Sequence, residues 1–262
     1  MEKQISEIMV ALGKELCKDS LIGIVYNPYK EGMKYDDCNF LKYILSQDRY
    51  TSPLFILSGH GGYLAPGIYF PHIIKNAVKN YGVYVPSTCC SALCYTLLKS
   101  TKLLVGRNTQ ITQIDPTIQL GNGEVHRAIK IIKDSKFKNT PLGECARDVF
   151  HLAEEHVKIL IDKPSLFRED GRDYFEHLHL DDLINLFMNK EDHFSFIDIK
   201  ELNNLGAKIE DLSESKADIL ANRLIQVCQD FAILKDVRVV FVSSIPIKII
   251  GEKDGVLICP LN

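Results

Sequence analysis

Short apolar runs alternate with amphipathic stretches along the chain, a pattern typical of an α/β protein. Runs of strand length lie at residues 21–26, 54–57, 82–85, 103–105, 237–243, 245–250 and 256–259. Helical periodicity covers residues 1–19, 38–46, 124–137, 145–161, 174–188 and 217–232, together with a stretch that begins near Pro66 or Pro71. We therefore predict one α/β domain over residues 1–213 with a parallel sheet and helices outside it. Residues 214–262 would add a helix and strands packed on the same domain, and the runs at 245–250 and 256–259 would form a β-hairpin.

Two of the apolar runs end in sharp turns that contain candidate chemistry. The run at 54–57 is followed by Ser58-Gly59-His60-Gly61-Gly62, and the run at 82–85 leads to Cys89-Cys90-Ser91 at the start of a helix. Parallel strands end at the same edge of a sheet, so both turns are expected there. Acyl transfer needs this combination, in which a small nucleophile lies beside backbone N–H groups that face the developing oxyanion.

Ser91 is the candidate nucleophile, with the N–H groups of Gly62 and Ala92 as a candidate oxyanion hole and Gly61 shaping the turn. The alternative role for this serine is a helix N-cap, which performs no chemistry. Cys90 is a rival nucleophile, because a helix N-terminus lowers the pKa of a thiol. The glycine turn lacks the third glycine of a dinucleotide fingerprint and the lysine of a P-loop, so a phosphate site is not indicated.

Residues 36–212 resemble the serine dehydrogenase proteinase family, relatives of signal peptide peptidase A within the ClpP/crotonase superfold. The resemblance depends on the order and spacing of four weak motifs. They are Ser58 to Gly62, Val85-Pro86 to Ser91-Ala92, Thr109 to Ile114-Asp115-Pro116, and a late segment from Asp192-His193 through Glu201 to Gly206. The family's usual triplet, a Ser-Ala pair followed by glycine or alanine, reads Ser91-Ala92-Leu93 here. The resemblance implies repeated ββα units, serine-type peptide hydrolysis without a cofactor, a peptide or protein substrate, and self-association.

The sequence offers more than one candidate for the general base. ClpP-like proteases have a histidine where this chain has the segment around Asp115, and no histidine occurs there. One hypothesis is that His193 activates the serine while Asp115 orients it; otherwise Asp115 caps a turn and His193 is a surface residue. The resemblance to signal peptide peptidase A implies a lysine as the alternative base, and such a lysine must be buried to lower its pKa. The candidates are Lys130, Lys133, Lys136 and Lys138, which otherwise form a solvated helix face. His60 is expected to contact substrate or to cap its turn.

Composition excludes several classes of partner. Of the 262 residues 46% are hydrophobic and 25% are charged, and the formal net charge of −3 gives no electrostatic basis for binding nucleic acid. No apolar run has the length of a membrane span and the amphipathic N-terminus does not resemble a signal peptide, so a cytoplasmic location is expected. The eight cysteines have no disulfide-like spacing. Histidine and cysteine spacings predict no metal site.

Two rival functions remain open at this stage. A crotonase-like acyl-thioester enzyme uses paired N–H groups without a serine nucleophile, and a catalytically inactive scaffold keeps the fold for oligomerisation or partner binding. The absence of a histidine near Asp115 favours the scaffold to some degree.

Overall fold

The computed structural model describes residues 1–47, 50–161, 166, 180–188, 196–245 and 255–259. The helices are α1 (Glu2–Leu16), α2 (Tyr35–Leu45), α3 (Leu64–Ala77), α4 (Tyr95–Leu98), α5 (Ala128–Lys133), α6 (Pro141–Ile161), α7 (Leu180–Met188), α8 (Ile199–Asn204) and α9 (Lys216–Leu234). The strands are β1 (Leu21–Tyr26), β2 (Leu54–Ser58), β3 (Gly82–Val85), β4 (Thr88–Cys89), β5 (Lys102–Val105), β6 (Gln110–Ile111), β7 (Thr117–Gln119), β8 (Val125–Arg127), β9 (Ile209–Asp211), β10 (Val239–Ser243) and β11 (Val256–Cys259).

The main sheet has the strand order β11-β10-β1-β2-β3-β5-β9. Strands β1, β2, β3, β5 and β9 are parallel, and β10 is antiparallel to β1. The carboxyl ends of β2 and β3 therefore lie side by side, as the two turns of the sequence require. The predicted α/β architecture is confirmed, and the antiparallel β10 is an addition to the parallel sheet that the sequence predicts.

Short second strands follow the central strands of the main sheet. After β2, Gly59 pairs with Cys89 of β4, and β4 in turn pairs in parallel with β6, which follows β5. Each central strand thus continues into a small second layer before the chain moves on. This is the repeated ββα arrangement that the sequence predicts, and it fixes the turns after β2 and β4 against each other.

Apolar cores cover both faces of the sheet. Along β2, Phe55 and Leu57 lie in the larger core with side chains of α2, α3 and α6, whereas Leu54 and Ile56 lie in a second core with side chains of α1 and α9. Alternate side chains of a strand point to opposite faces, so a strand covered on both faces has a continuous apolar run. All five residues of β2 are buried.

The start of α2 differs from the sequence prediction. Helical periodicity predicts a helix over 38–46, but the helix begins at Tyr35 with Lys34 as its N-cap. Asp37 lies in the first turn, where its carboxylate accepts a hydrogen bond from the backbone N–H of Lys34. The same carboxylate accepts hydrogen bonds from Tyr26 and Arg238, so a buried network joins α2 to the sheet.

The predicted helix over 124–137 is wrong in its first part. Residues 125–127 form β8, which pairs antiparallel with β7, and the helix α5 begins only at Ala128. The N–H of Ala128 donates to the carbonyl of Pro116, which closes this hairpin at its base. The tip contains Gly123 with φ of 87°, a conformation that favours glycine.

The remaining differences concern helix ends and the C-terminal region. Helix α3 begins before Pro66, which lies in its first turn, and continues through Pro71. The parts of the predicted elements that fall at 174–179 and 246–250 lie outside the described residues. Strands β10 and β11 are paired in parallel and extend the main sheet beyond β1.

Candidate functional site

The diglycine turn after β2 packs directly against Ser91. A Cβ atom added to Gly61 would lie 2.8 Å from the Cβ of Ser91 and 3.0 Å from the backbone nitrogen of Ala92. Gly61 has φ of 96° and Gly62 has φ of 151°, so both have backbone conformations that side chains disfavour. Only glycine allows this close approach, and the two turns therefore form one site.

A neighbouring loop holds the diglycine turn on its other side. The N–H of Met33 donates to the carbonyl of Gly61 at 2.6 Å, and the N–H of Tyr63 donates to the carbonyl of Met33 at 3.0 Å. A Cβ on Gly32 would lie 2.0 Å from the same Gly61 oxygen, so a glycine is required there as well. The sequence analysis did not predict this support.

Ser91 has a strained backbone. Its φ of 50° is positive, which costs a non-glycine residue about 1–2 kcal/mol. Its N–H donates to the hydroxyl of Thr112 at 3.2 Å. Below the turn, the thiol of Cys94 donates to the carbonyls of Cys89 and Thr112, both at 3.1 Å. These contacts hold the serine in a conformation that it would otherwise avoid, as is typical of functional turns.

The predicted N-cap role of Ser91 does not fit this geometry. The N-cap of the 3₁₀ turn over Ser91–Cys94 is Cys90, and Ser91 is the first residue of the turn. Within the part of the chain that the structure describes, the Ser91 hydroxyl makes no hydrogen bond, and the residue is half-buried. Its hydroxyl is thus available to a ligand.

Backbone donors lie beside this hydroxyl. Across the described ranges, neither the N–H of Gly62 nor that of Ala92 donates a hydrogen bond to the protein. Ala92 is buried, so its N–H must find a partner in water or in a bound molecule. Two unpaired donors next to a hydroxyl are the components of an oxyanion site.

These groups share one cavity of about 500 Å³. The lining residues are Glu31, Gly32, His60, Gly62, Tyr63, Leu64, Ser91, Ala92, Ile114, Asp115, Pro116, Thr117, Gln119 and Val125. The cavity thus extends from the loop after β1, across the two turns, to the β7–β8 hairpin. A volume of this size fits several residues of a peptide or a drug-sized molecule.

Asp115 lies in this lining and forms a buried ion pair. The guanidinium of Arg127, on β8, donates through Nε to the Asp115 carboxylate. The pair anchors the hairpin to the segment before it, a structural role that the sequence analysis did not foresee. The predicted partner of Asp115, His193, lies outside the described residues, so its proposed role stays a prediction.

The candidate lysine bases are not in the cavity. Lys130 and Lys133 are exposed on α5, and Lys136 and Lys138 beyond the helix are exposed as well. None of them lines the cavity. A lysine needs burial to serve as a neutral base, and the structure gives these side chains none.

Cys90 is a poor nucleophile in this environment. Burial, followed by the neighbouring Cys94 thiol, raises the pKa of Cys90 to about 12, although a hydrogen bond with Thr112 acts in the opposite direction. A thiol with this pKa stays protonated near neutral pH, and only the thiolate is reactive. Ser91 is therefore a better candidate for the nucleophile than Cys90.

His60 is exposed, and its ring lies at the cavity wall. Its Nε2 is 3.1 Å from the carbonyl oxygen of Pro28 in the loop after β1. The sequence analysis placed this residue near the site without assigning it a definite contact. The β7–β8 hairpin, by contrast, was missed, although Gly121-Asn122-Gly123 is a turn signal that could have revealed it.

Among the residues that the structure describes, no group of three or more His, Cys, Asp or Glu side chains could hold a metal ion. Within the same residues, no helix combines the length and the apolar character that crossing a bilayer demands.

Similarity to known proteins is found at the level of the fold and not of the sequence. No protein-family model matches the sequence, and no curated protein sequence matches it significantly. A solved mutant of ClpP1 from Listeria monocytogenes is similar with a TM-score of 0.45 and 12% identity, over 79% of this chain and 99% of the other. A mutant of the 1510-N membrane-bound stomatin-specific protease, in complex with a substrate peptide, is similar with a TM-score of 0.39 and 16% identity, over 73% and 91%. At this level of similarity the family resemblance stays a prediction.

Proposed function

We propose that this protein is a serine-type peptidase with Ser91 as its nucleophile. The observation that supports this most strongly is that Gly62, Ser91 and Ala92 line one cavity, while among the described residues the Ser91 hydroxyl and the N–H groups of Gly62 and Ala92 have no hydrogen-bond partner. Acyl transfer needs these components at contact distance from one another. The strained backbone of Ser91 agrees with the role, because strain of this kind concentrates at functional sites.

In this proposal the Ser91 hydroxyl oxygen attacks the carbonyl carbon of a peptide bond and loses its proton to a base. The N–H groups of Gly62 and Ala92 donate to the oxyanion that forms. The C–N bond then breaks, and the amine leaves with the proton. Water attacks the acyl-serine by the same route and regenerates the hydroxyl, so that one peptide and one water give one acid and one amine.

An extended peptide suits the shape of the cavity. Thr117 and Gln119 of β7 line the same cavity as Gly62 of the diglycine turn. Strand β7 pairs with β8 along one edge, and within the described residues its other edge pairs with no strand. A peptide could add to this edge through backbone hydrogen bonds, which fix its register without demanding one sequence. Leu64, Ile114 and Val125 offer apolar contacts for its side chains.

The test is hydrolysis of a fluorogenic peptide library by the wild type, Ser91→Ala and a matched control, Ser46→Ala. Ser46 is an exposed residue at the end of α2. The proposal predicts hydrolysis by the wild type and the control, and a loss of roughly 10³-fold or more in Ser91→Ala. Equal activity of Ser91→Ala would overturn it. No hydrolysis by a folded wild type would favour the scaffold, and hydrolysis of acyl thioesters by Ser91→Ala would favour the crotonase-like alternative.

A further inference from the structure

Activation of Ser91 requires a proton acceptor in the same cavity, because a serine hydroxyl is a weak nucleophile near neutral pH. Among the described lining residues, the carboxylates and imidazoles are Glu31, Asp115 and His60. Both carboxylates already have cationic partners. Lys34 forms an ion pair with Glu31 and lowers the pKa of that carboxyl, and Arg127 bonds to Asp115. The lowered pKa makes Glu31 a weaker base, and Arg127 already occupies the Asp115 carboxylate, so His60 is the remaining candidate among the described lining residues.

The chain path keeps His60 near the nucleophile. The next residue, Gly61, packs against Ser91 so closely that an added Cβ would meet the carbonyl of Cys90 at 2.6 Å and the Cβ of Ser91 at 2.8 Å. One peptide unit therefore separates the histidine from the residue in contact with the nucleophile. Both His60 and Ser91 line the same cavity. A direct proton transfer, or one through a single water, is compatible with this arrangement, since catalytic hydrogen bonds often tighten only when substrate binds.

The hydrogen bond to Pro28 assigns the protonation of the ring. A carbonyl oxygen can only accept, so the Nε2 atom that lies 3.1 Å from it carries the hydrogen in the neutral ring. The lone pair is then on Nδ1, which has no hydrogen-bond partner among the described residues. After Nδ1 takes a proton, Nε2–H still donates to the Pro28 carbonyl. A backbone carbonyl can orient a histidine in this way, as a carboxylate does in a triad.

We propose that His60 is the general base for Ser91, a role that depends on the peptidase function proposed above. Nδ1 takes the hydroxyl proton as the bond from Oγ to the carbonyl carbon forms, and it gives that proton to the amine as the C–N bond breaks. In the second half of the reaction, Nδ1 takes a proton from water and returns it to Oγ. Protons and electron pairs balance over the cycle without a co-reactant.

The experiment compares four histidine variants, with two readouts on folded protein. The readouts are kcat and KM for a peptide substrate and the rate at which a fluorophosphonate modifies Ser91. His60→Gln keeps a donor for the Pro28 carbonyl but cannot accept the proton, whereas His60→Ala leaves a space that free imidazole can enter. His193→Gln tests the rival base, and His151→Gln is a control on an exposed site of α6.

The proposal predicts that His60→Gln lowers kcat by about 10²–10⁴-fold and the modification rate likewise, with KM changed little. It predicts that millimolar imidazole raises the kcat of His60→Ala at least tenfold. It also predicts that His193→Gln and His151→Gln match the wild type. His60→Gln within threefold of the wild type would overturn the proposal. So would a loss confined to His193→Gln, or an unrescued loss in His60→Ala, which would limit His60 to positioning the turn. If His60 fails these tests, fluorophosphonate modification of Ser91 would still support the peptidase function. A wild type that neither hydrolyses peptide nor reacts at Ser91 would overturn both the peptidase function and the role of His60.

Discussion

The contact between Gly61 and Ser91 can be tested by adding one methyl group. In Gly61→Ala the new Cβ would lie 2.6 Å from the carbonyl oxygen of Cys90, where ordinary contact begins at 3.4 Å. The turns must therefore separate by roughly 0.8 Å in a close-packed region. The positive φ of residue 61 adds about 1–2 kcal/mol and the overpacking about 1–3 kcal/mol. The expected loss in the free energy of unfolding is thus about 2–5 kcal/mol.

The same displacement should affect activity more than stability alone suggests. A misplacement of about 1 Å at a reacting group can cost about 10²-fold in rate. We therefore expect folded Gly61→Ala to react with a fluorophosphonate at Ser91 about 100-fold more slowly than the wild type. Urea unfolding measures the stability term, and mass spectrometry of the labelled protein over time measures the rate.

Gly123→Ala is the matched control for backbone strain. Gly123 also has a positive φ, of 87°, but an added Cβ would have nothing within 4 Å. It should lose only the backbone term of about 1–2 kcal/mol and keep the wild-type labelling rate. If folded Gly61→Ala labels Ser91 as fast as Gly123→Ala, the contact is irrelevant to reactivity and the reasoning is refuted.

Three further predictions concern the thiol, the buried ion pair and self-association. Cys90 should resist iodoacetamide at pH 7 in the folded protein, because burial raises the pKa of its thiol to about 12; rapid alkylation by mass spectrometry would contradict this. Arg127→Met should lower the free energy of unfolding by about 3–5 kcal/mol, because it leaves the Asp115 carboxylate buried without its cation. Lys102→Met removes the exposed ion pair with Glu210 and should lower the free energy of unfolding by at most about 1 kcal/mol. Equal losses in the two variants, measured by urea unfolding, would contradict the larger stabilisation expected of the buried pair. Light scattering at micromolar concentration should give a mass above the 29.7 kDa of one chain, and a monomer would contradict self-association.

The parts of the fold that local sequence determines were predicted well. Strands β1 and β3 have the predicted bounds, because long apolar runs of β-branched and aromatic residues are recognisable within a short window. The meeting of the two turns could also be predicted, since parallel strands end at one edge. What the pattern could not supply was the contact of Gly32 with Gly61, which joins distant segments through backbone atoms and leaves no periodic signal.

The β7–β8 hairpin shows the limit most clearly. Val125, Ala128, Ile129 and Ile132 have helical spacing, and the pattern alone favours one helix through all of them. Residues 125–127 pair with β7 instead, and Arg127 donates a hydrogen bond to the buried Asp115. A long-range ion pair and a backbone ladder override local periodicity here. The same reasoning explains why Asp115 was expected to orient a histidine, since its actual partner lies on a strand that the pattern did not predict.

The central claim is that the Ser91 hydroxyl is a nucleophile beside the N–H groups of Gly62 and Ala92. Its most direct test is peptide mapping of the wild type and Ser91→Ala after treatment with a fluorophosphonate. The account predicts one covalent adduct on Ser91 of the wild type and no adduct on the variant. A folded wild type that carries no adduct, or that carries it on another residue, would contradict the account.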